Sequence, residues 1–348
     1  MKKTSIYFFC MMVLIAVSSC AKEAVSGPND ANKRFIDAWM HVNHPGNKAM
    51  WNGVESPDSN GIYILEFREG DKEPAVSNDG YAIVDYKTTD LEGNIISYTS
   101  AETARQLGEY SMTNYYGPKV WLTKDATIQA GLQNAITGMK VGGYKKVLIP
   151  SWLMSYSSFD TPGEYLANST DYANTIYEFT VHDFTKDINQ WQIDSIKRYI
   201  EKEYGSLEKF TNDSTGFYYM QKKAPVSDKE FPSDTTIYIN YTGKLLNGLV
   251  FDTNMERVAK DNGLYDPSKT YGPTSIKWGE NHGDITMGSG SSSVISGFSL
   301  TLWQMKPMEK GIGIFYSPLG YGYNGSEPAI PPYAPLIFEI EIVEEPED

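Results

Sequence analysis

The sequence predicts an α+β fold made of two tandem domains of one type, each an antiparallel half-barrel sheet curled over one short helix, with a further helix before each domain. Three observations carry this. First, a helix, a Gly-aromatic strand, a tyrosine strand and a glycine turn occur twice. Gly61-Ile62-Tyr63 answers to Gly216-Phe217-Tyr218, Val84-Asp85-Tyr86 to Ile239-Asn240-Tyr241, and Gly93 to Gly248, at one spacing (216 − 61 = 155). Second, each copy closes on a strictly alternating run, residues 175–181 and 336–342. Period-two alternation marks strands buried on one face, and one short helix among several such strands favours an antiparallel sheet wrapped over it. Third, 348 residues suit about two domains of roughly 100–200 residues each.

Taken in order, Lys2-Lys3 is a basic start and residues 6–17 are apolar but too short for an ordinary membrane span. The run ends in Val17-Ser18-Ser19-Cys20, which resembles a bacterial lipobox. That resemblance implies cleavage before Cys20 and lipidation of its thiol, with residues 1–19 as signal peptide; a plain secretory signal with a chance cysteine is the alternative. Only two cysteines exist, so loss of Cys10 and lipidation of Cys20 leave no disulfide. Residues 20–60 form a tether and a short helix, with Phe35, Trp39 and Val42 at i, i+4, i+7 and Pro45-Gly46 as its stop. The first domain occupies residues 61–185. A connecting helix follows over 186–210, with Ile193, Ile196, Ile200 and Tyr204 on one face. The second domain occupies 211–348. The short internal helices carry Leu132, Ile136 and Met139 in the first copy and Phe298, Leu302 and Met305 in the second.

Net charge is −14, and loss of Lys2 and Lys3 makes it −16 (−14 − 2). Such a chain is a poor partner for nucleic acid, which wants basic patches. His41 and His44 lack a third ligand at metal spacing, and the glycine-serine run at 287–293 has no lysine after it. Neither a metal nor another cofactor is called for. What remains is a stretch, residues 239–254, with aromatic residues, Tyr241 and Asp252 but no serine, cysteine or histidine nucleophile.

The second copy resembles FKBP-type peptidyl-prolyl isomerases. The likeness rests on Tyr241-Thr242-Gly243-Lys244-Leu245, Phe251-Asp252, Val294-Ile295-Ser296-Gly297-Phe298, Gly320-Tyr321-Gly322, Ile330-Pro331-Pro332 and Leu336-Ile337-Phe338, in that order. It answers the missing nucleophile, because rotation about an Xaa-Pro bond breaks no covalent bond. By resemblance, Phe251, Val294, Ile295, Phe298 and Phe338 line a proline pocket with Phe298 as floor, where the family usually has Trp. Tyr321 donates to the substrate carbonyl, Tyr241 and Asp252 stand on the wall, and Ile330 covers one side. Without that ordered set, the phenylalanines read as core, Tyr241 as a strand tyrosine and Asp252 as a turn residue.

An insertion at 255–283, with Tyr265, Tyr271 and Trp278, departs from the family and is expected to grip a client or cover the pocket. The first copy is expected to be degenerate. Ile96-Ser97, or after a small slip Tyr98-Thr99, stands where the second copy has Phe251-Asp252, Leu132 replaces the floor, Ser155-Tyr156 is the candidate match for Gly320-Tyr321, and no Ile-Pro-Pro precedes its last strand. The resemblance implies a folding catalyst anchored by lipid at Cys20 in the bacterial envelope, at the outer membrane, acting on proline-containing polypeptide clients. The rival reading is a non-catalytic client-binding holdase, or an accessory subunit of an envelope complex.

Overall fold

The computed structural model describes residues 27–124, 127–168, 171–212, 215–288 and 292–347. The signal segment and Cys20 lie outside the described residues.

Two sheets of the same topology follow one another. In the first, β1 (Ile62–Arg68), β2 (Tyr81–Thr89), β3 (Ile95–Tyr98), β4 (Lys119–Leu122), β5 (Tyr144–Ile149) and β6 (Thr175–Thr185) run in the order β1-β5-β6-β2, and β3 and β4 pair in turn with the free edge of β2. In the second, β7 (Phe217–Lys223), β8 (Thr236–Leu245), β9 (Val250–Thr253), β10 (Thr274–Lys277), β11 (Lys310–Phe315) and β12 (Leu336–Val343) run β7-β11-β12-β8, with β9 and β10 sharing the edge of β8. All these pairings are antiparallel. The strands β6 and β12 are buried at alternate positions for much of their length, as the two-residue period requires.

Each sheet closes over one short helix. The helix α3 (Ala130–Ile136) buries Leu132 and Ile136 in the first core, and α6 (Ser296–Trp303) buries Phe298 and Leu302 in the second. Two more helices, α1 (Asp30–Asn43) and α4 (Ile188–Tyr204), precede the sheets. Within α1 the buried stripe is Ile36 and Met40, both packed in the first core, whereas Phe35 and Val42 face solvent. The helix predicted from Phe35, Trp39 and Val42 forms, but the sheet takes the neighbouring stripe.

The helix α4 starts where the Asp187 carboxylate accepts the Asn189 and Gln190 N–H groups and ends at left-handed Gly205. Its Ile196 and Ile200 pack with Tyr218, Ile312, Ile314 and Ile337 of the second sheet. The Gln192 side chain accepts the Ser317 N–H at 2.7 Å. This helix is therefore a layer of the second domain and not only a connector. Two boundaries also shift. Strands at Ala49–Trp51 and Val54–Glu55 extend the first sheet ahead of residue 61. At its far end the 255–283 insertion is sheet and core, because β10 pairs with β8 and buried Trp278 stacks on Trp303 at 5.4 Å.

Candidate functional site

The site is built on β8, β9, α6 and β12. Gly243 on β8 lets two rings approach the backbone, since a Cβ there would lie 2.6 Å from Phe251 and 2.9 Å from Phe338. A β-bulge sits at this point, where Asp252 pairs with Gly243 and Val250 with Lys244. Phe251 is the extra residue, and the bulge turns its ring onto Phe338 at 5.6 Å, edge to face. Phe338 is the hub of the aromatic box. Phe298 meets it at 5.0 Å and 86°, and Phe315 stacks behind it at 6.0 Å. Tyr241 stands edge-on to Phe298 at 5.6 Å.

The polar groups lie on the rim. The Tyr241 hydroxyl donates to Asp252 Oδ2 at 2.9 Å. Burial, followed by the Asp252 charge and this hydrogen bond, pushes the Tyr241 hydroxyl well above the usual phenol range. Tyr321 is raised too, by burial and then by Asp252, so both phenols remain donors at neutral pH. Asp252 and Tyr321 are exposed while Tyr241, Phe298, Ile330 and Phe338 are buried. Val294 and Ile295 are half-buried against the same core, Ile295 as the N-cap residue of α6. The structure thus gathers all nine predicted residues at one end of the second sheet: rings below, one carboxylate and two phenols above.

Reasoning from the sequence missed the residue that ties this wall together. Asn254 Oδ1 accepts the Tyr241 N–H at 2.8 Å. Its Nδ2 donates to the carbonyls of Ile239 (2.8 Å) and Gly272 (2.9 Å), and its own carbonyl accepts the Gly272 N–H at 2.8 Å. Asn254 therefore closes the neck of a 17-residue excursion, residues 255–271, two positions from the Asp252 carboxylate.

The same excursion stands in the first domain. Thr99 takes the place of Asn254 (254 − 99 = 155), accepting the Tyr86 N–H on its Oγ1 at 3.0 Å and the Gly117 N–H on its carbonyl at 2.9 Å. A short helix follows each neck, α2 (Ala101–Leu107) and α5 (Glu256–Asp261), with buried Ala104 or Ala259 beneath it. Each then turns at a left-handed glycine, Gly108 or Gly263. Each ends in a stacked tyrosine pair, Tyr110 on Tyr116 at 5.4 Å and Tyr265 on Tyr271 at 5.5 Å. A cation covers each pair, Arg105 4.3 Å from Tyr110 and Lys260 4.6 Å from Tyr265. What compares as an insertion in the second copy is a repeated element of both.

The pocket positions differ between the copies. Ile96, at the bulge position of Phe251, is 58% exposed and packs on no box. Ser97, opposite Thr88, replaces the carboxylate and hydrogen-bonds the Thr88 hydroxyl at 2.7 Å. Leu132 stands at the floor. The ring missing there comes from β4, where Trp121 lies 5.4 Å from Tyr86, 6.3 Å from Tyr177 and 5.6 Å from Phe179. The first domain keeps the frame and fills the hollow with its own side chain.

The first excursion also reaches the second domain. Met112 lies against Gly263, whose Cβ would come within 2.8 Å of the Met112 sulfur. The Tyr115 N–H donates to the Pro328 carbonyl at 2.8 Å, and the Tyr115 ring packs against the second core. Burial pushes its hydroxyl up to about 12. Lys119 pairs with Glu327 at 2.6 Å, and Tyr81 meets Tyr333 edge-on at 5.5 Å.

Comparison with known proteins follows this geometry. A family model described as FKBP-type peptidyl-prolyl cis-trans isomerase matches residues 227–343. The FK506-binding protein of Neisseria meningitidis serogroup B is 30% identical over 115 residues, which are 33% of this chain and 84% of that protein. A peptidyl-prolyl cis-trans isomerase of Bos taurus is 31% identical over 108 residues, 31% of this chain and 41% of its own length. A probable FKBP-type isomerase of Haemophilus influenzae is 27% identical over 142 residues, 41% of this chain and 48% of its own. The chain spans less than half the length of these last two relatives.

Proposed function

The chain belongs to the FKBP-type peptidyl-prolyl cis-trans isomerase family, and from that premise we propose that its second domain rotates Xaa-Pro bonds of polypeptide clients while its first domain does not. The observation that carries this is the Tyr241–Asp252 hydrogen bond at the rim of the Phe251, Phe298 and Phe338 box. Amide resonance sets a barrier of about 18–20 kcal/mol. In the twisted state the C–N bond loses its double-bond character, so an apolar surround penalises it less than the planar amide. The proline ring enters the aromatic box with Phe298 beneath it. The raised Tyr321 hydroxyl donates to the carbonyl on one side of the bond, and the Asp252 carboxylate, held in place by Tyr241, faces the rotating amide. No proton is transferred and no nucleophile is used.

The clients are exported, proline-containing chains, and lipid at Cys20 holds the enzyme at the envelope face of the outer membrane. The Val17-Ser18-Ser19-Cys20 sequence supports the anchor. Membrane fractionation tests it: Cys20→Ala releases the protein, and an unchanged membrane fraction would refute the anchor.

Catalysis is tested in a protease-coupled isomerisation assay on Xaa-Pro peptides. Asp252→Ala and Phe298→Leu are each expected to lower kcat/KM by about tenfold or more, with circular dichroism unchanged. Leucine is chosen because it already occupies the corresponding position, Leu132, in the first domain. Full turnover in both variants would put the reaction elsewhere.

A further inference from the structure

Resting on the reading of the second domain as the isomerase, the geometry points to the first domain's excursion as the client-side extension of that domain's proline pocket, gripping the polypeptide on either side of the isomerised proline. The two segments bordering the pocket mouth are the excursion that begins just after Asp252 and the loop from Tyr321 to Ile330. The first domain touches both, through Met112 on Gly263 and through the Tyr115 N–H on the Pro328 carbonyl. The mouth is thus bounded by three adjoining segments from two domains.

Those segments leave large side chains open to solvent. Tyr110 is 43% exposed, Met112 48%, Tyr265 42% and Tyr323 69%. Scattered exposed residues of this kind are ordinary, but here they lie on segments that contact one another and continue into the aromatic box. Two of them are also held stiff. Stacking on Tyr116 and Tyr271, with Arg105 and Lys260 above, fixes Tyr110 and Tyr265 before any ligand arrives. A rigid tyrosine offers contact area at low entropic cost, and methionine adapts to varied shapes. This chemistry suits an extended, unfolded polypeptide with apolar or aromatic residues flanking proline. A tetrapeptide, about 13 Å long when extended, is expected to fill the box without engaging Tyr110 and Met112, whereas a longer chain runs on past them.

The test uses the full chain, its Tyr110→Ser/Met112→Ser variant and, separately, Tyr323→Ser, which alters the rim without touching the first excursion. Two quantities are measured: kcat/KM for a proline tetrapeptide, and binding of a fluorescent, reduced and carboxymethylated proline-containing protein by anisotropy. Tetrapeptide turnover is expected to stay within about twofold, while polypeptide binding weakens on the order of tenfold, as for loss of aromatic anchors. Unchanged polypeptide binding in the Tyr110→Ser/Met112→Ser variant, whatever Tyr323→Ser does, or a parallel fall in both quantities, overturns the proposal. So does light scattering in which the parent is a dimer that the variants dissociate, because the occupant is then a second copy. If the parent binds the polypeptide through this rim but turns over no tetrapeptide, the isomerase reading fails and the surface stands.

Discussion

Asn254 shows how much of the site rests on a residue with no role in the chemistry. Its side chain satisfies the Tyr241 N–H and the Ile239 and Gly272 carbonyls, and it is buried. Asn254→Ala strands the Tyr241 N–H and the Ile239 carbonyl in a dry place, at roughly 1–3 kcal/mol each, whereas the half-buried Gly272 carbonyl is open to water. We expect a loss of roughly 2–4 kcal/mol in urea unfolding, with partial rescue by Asn254→Thr, the residue type that the first copy uses at Thr99. No loss in Asn254→Ala would mean that Tyr241 is held by its strand alone, and equal loss in both variants would mean that threonine does not replace the asparagine. The pocket residues themselves were legible in the sequence, because each belongs to an ordered motif. Asn254 was not, since its value lies in backbone groups brought close by the fold, and an asparagine after a strand reads as a turn.

At the scale of the element, the repeated excursion is written in the sequence, though only against the first copy and not against the family. Ala104, Gly108, Tyr110 and Tyr116-Gly117-Pro118 match Ala259, Gly263, Tyr265 and Tyr271-Gly272-Pro273 at the same 155-residue spacing. Measured against the family, the second excursion is extra chain; measured against the first copy, it is half of a pair. The two glycines separate its internal from its external role. Both are left-handed, but a Cβ at Gly108 meets nothing within 4 Å, whereas one at Gly263 meets Met112. Alanine at either site costs about 1 kcal/mol of backbone strain. Only Gly263→Ala displaces the Met112 side chain. Oxidation of Met112 by peroxide, followed by mass spectrometry, is therefore expected to quicken in Gly263→Ala and not in Gly108→Ala. Equal rates would show that the two excursions are not in contact in solution.

At the scale of the whole molecule, the tandem architecture and the degeneracy of the first pocket were readable because strand periodicity and single-residue replacements, such as Ser97 for Asp252, stand in the chain itself. The way the domains lean on one another was not, because it depends on pairs far apart in sequence, such as Lys119 with Glu327 and Tyr115 with Pro328. Which contact holds the domains together follows from magnitudes. The Lys119–Glu327 pair is short but solvated, and pairs of that kind contribute about 0–1 kcal/mol. The Tyr115 ring is half-buried against the second core, and burying part of such a ring contributes on the order of 1–2 kcal/mol, a fraction of the full-burial value. Beside it lies an apolar cleft of about 170 Å³, lined by Ile83 and Tyr115 of the first domain, Trp191 of α4, and Leu245, Pro331 and Pro335 of the second domain. Loss of the ring would widen that cleft, which is already partly open to solvent. We therefore expect Glu327→Lys to leave the radius of gyration measured by small-angle X-ray scattering almost unchanged, and Tyr115→Ala to increase it. In the combined variant the like charges act without the anchor, so the increase should be larger than in Tyr115→Ala and should shrink with added salt. If Glu327→Lys alone opens the molecule as far as Tyr115→Ala does, the domains are held by charge and the packed ring is incidental.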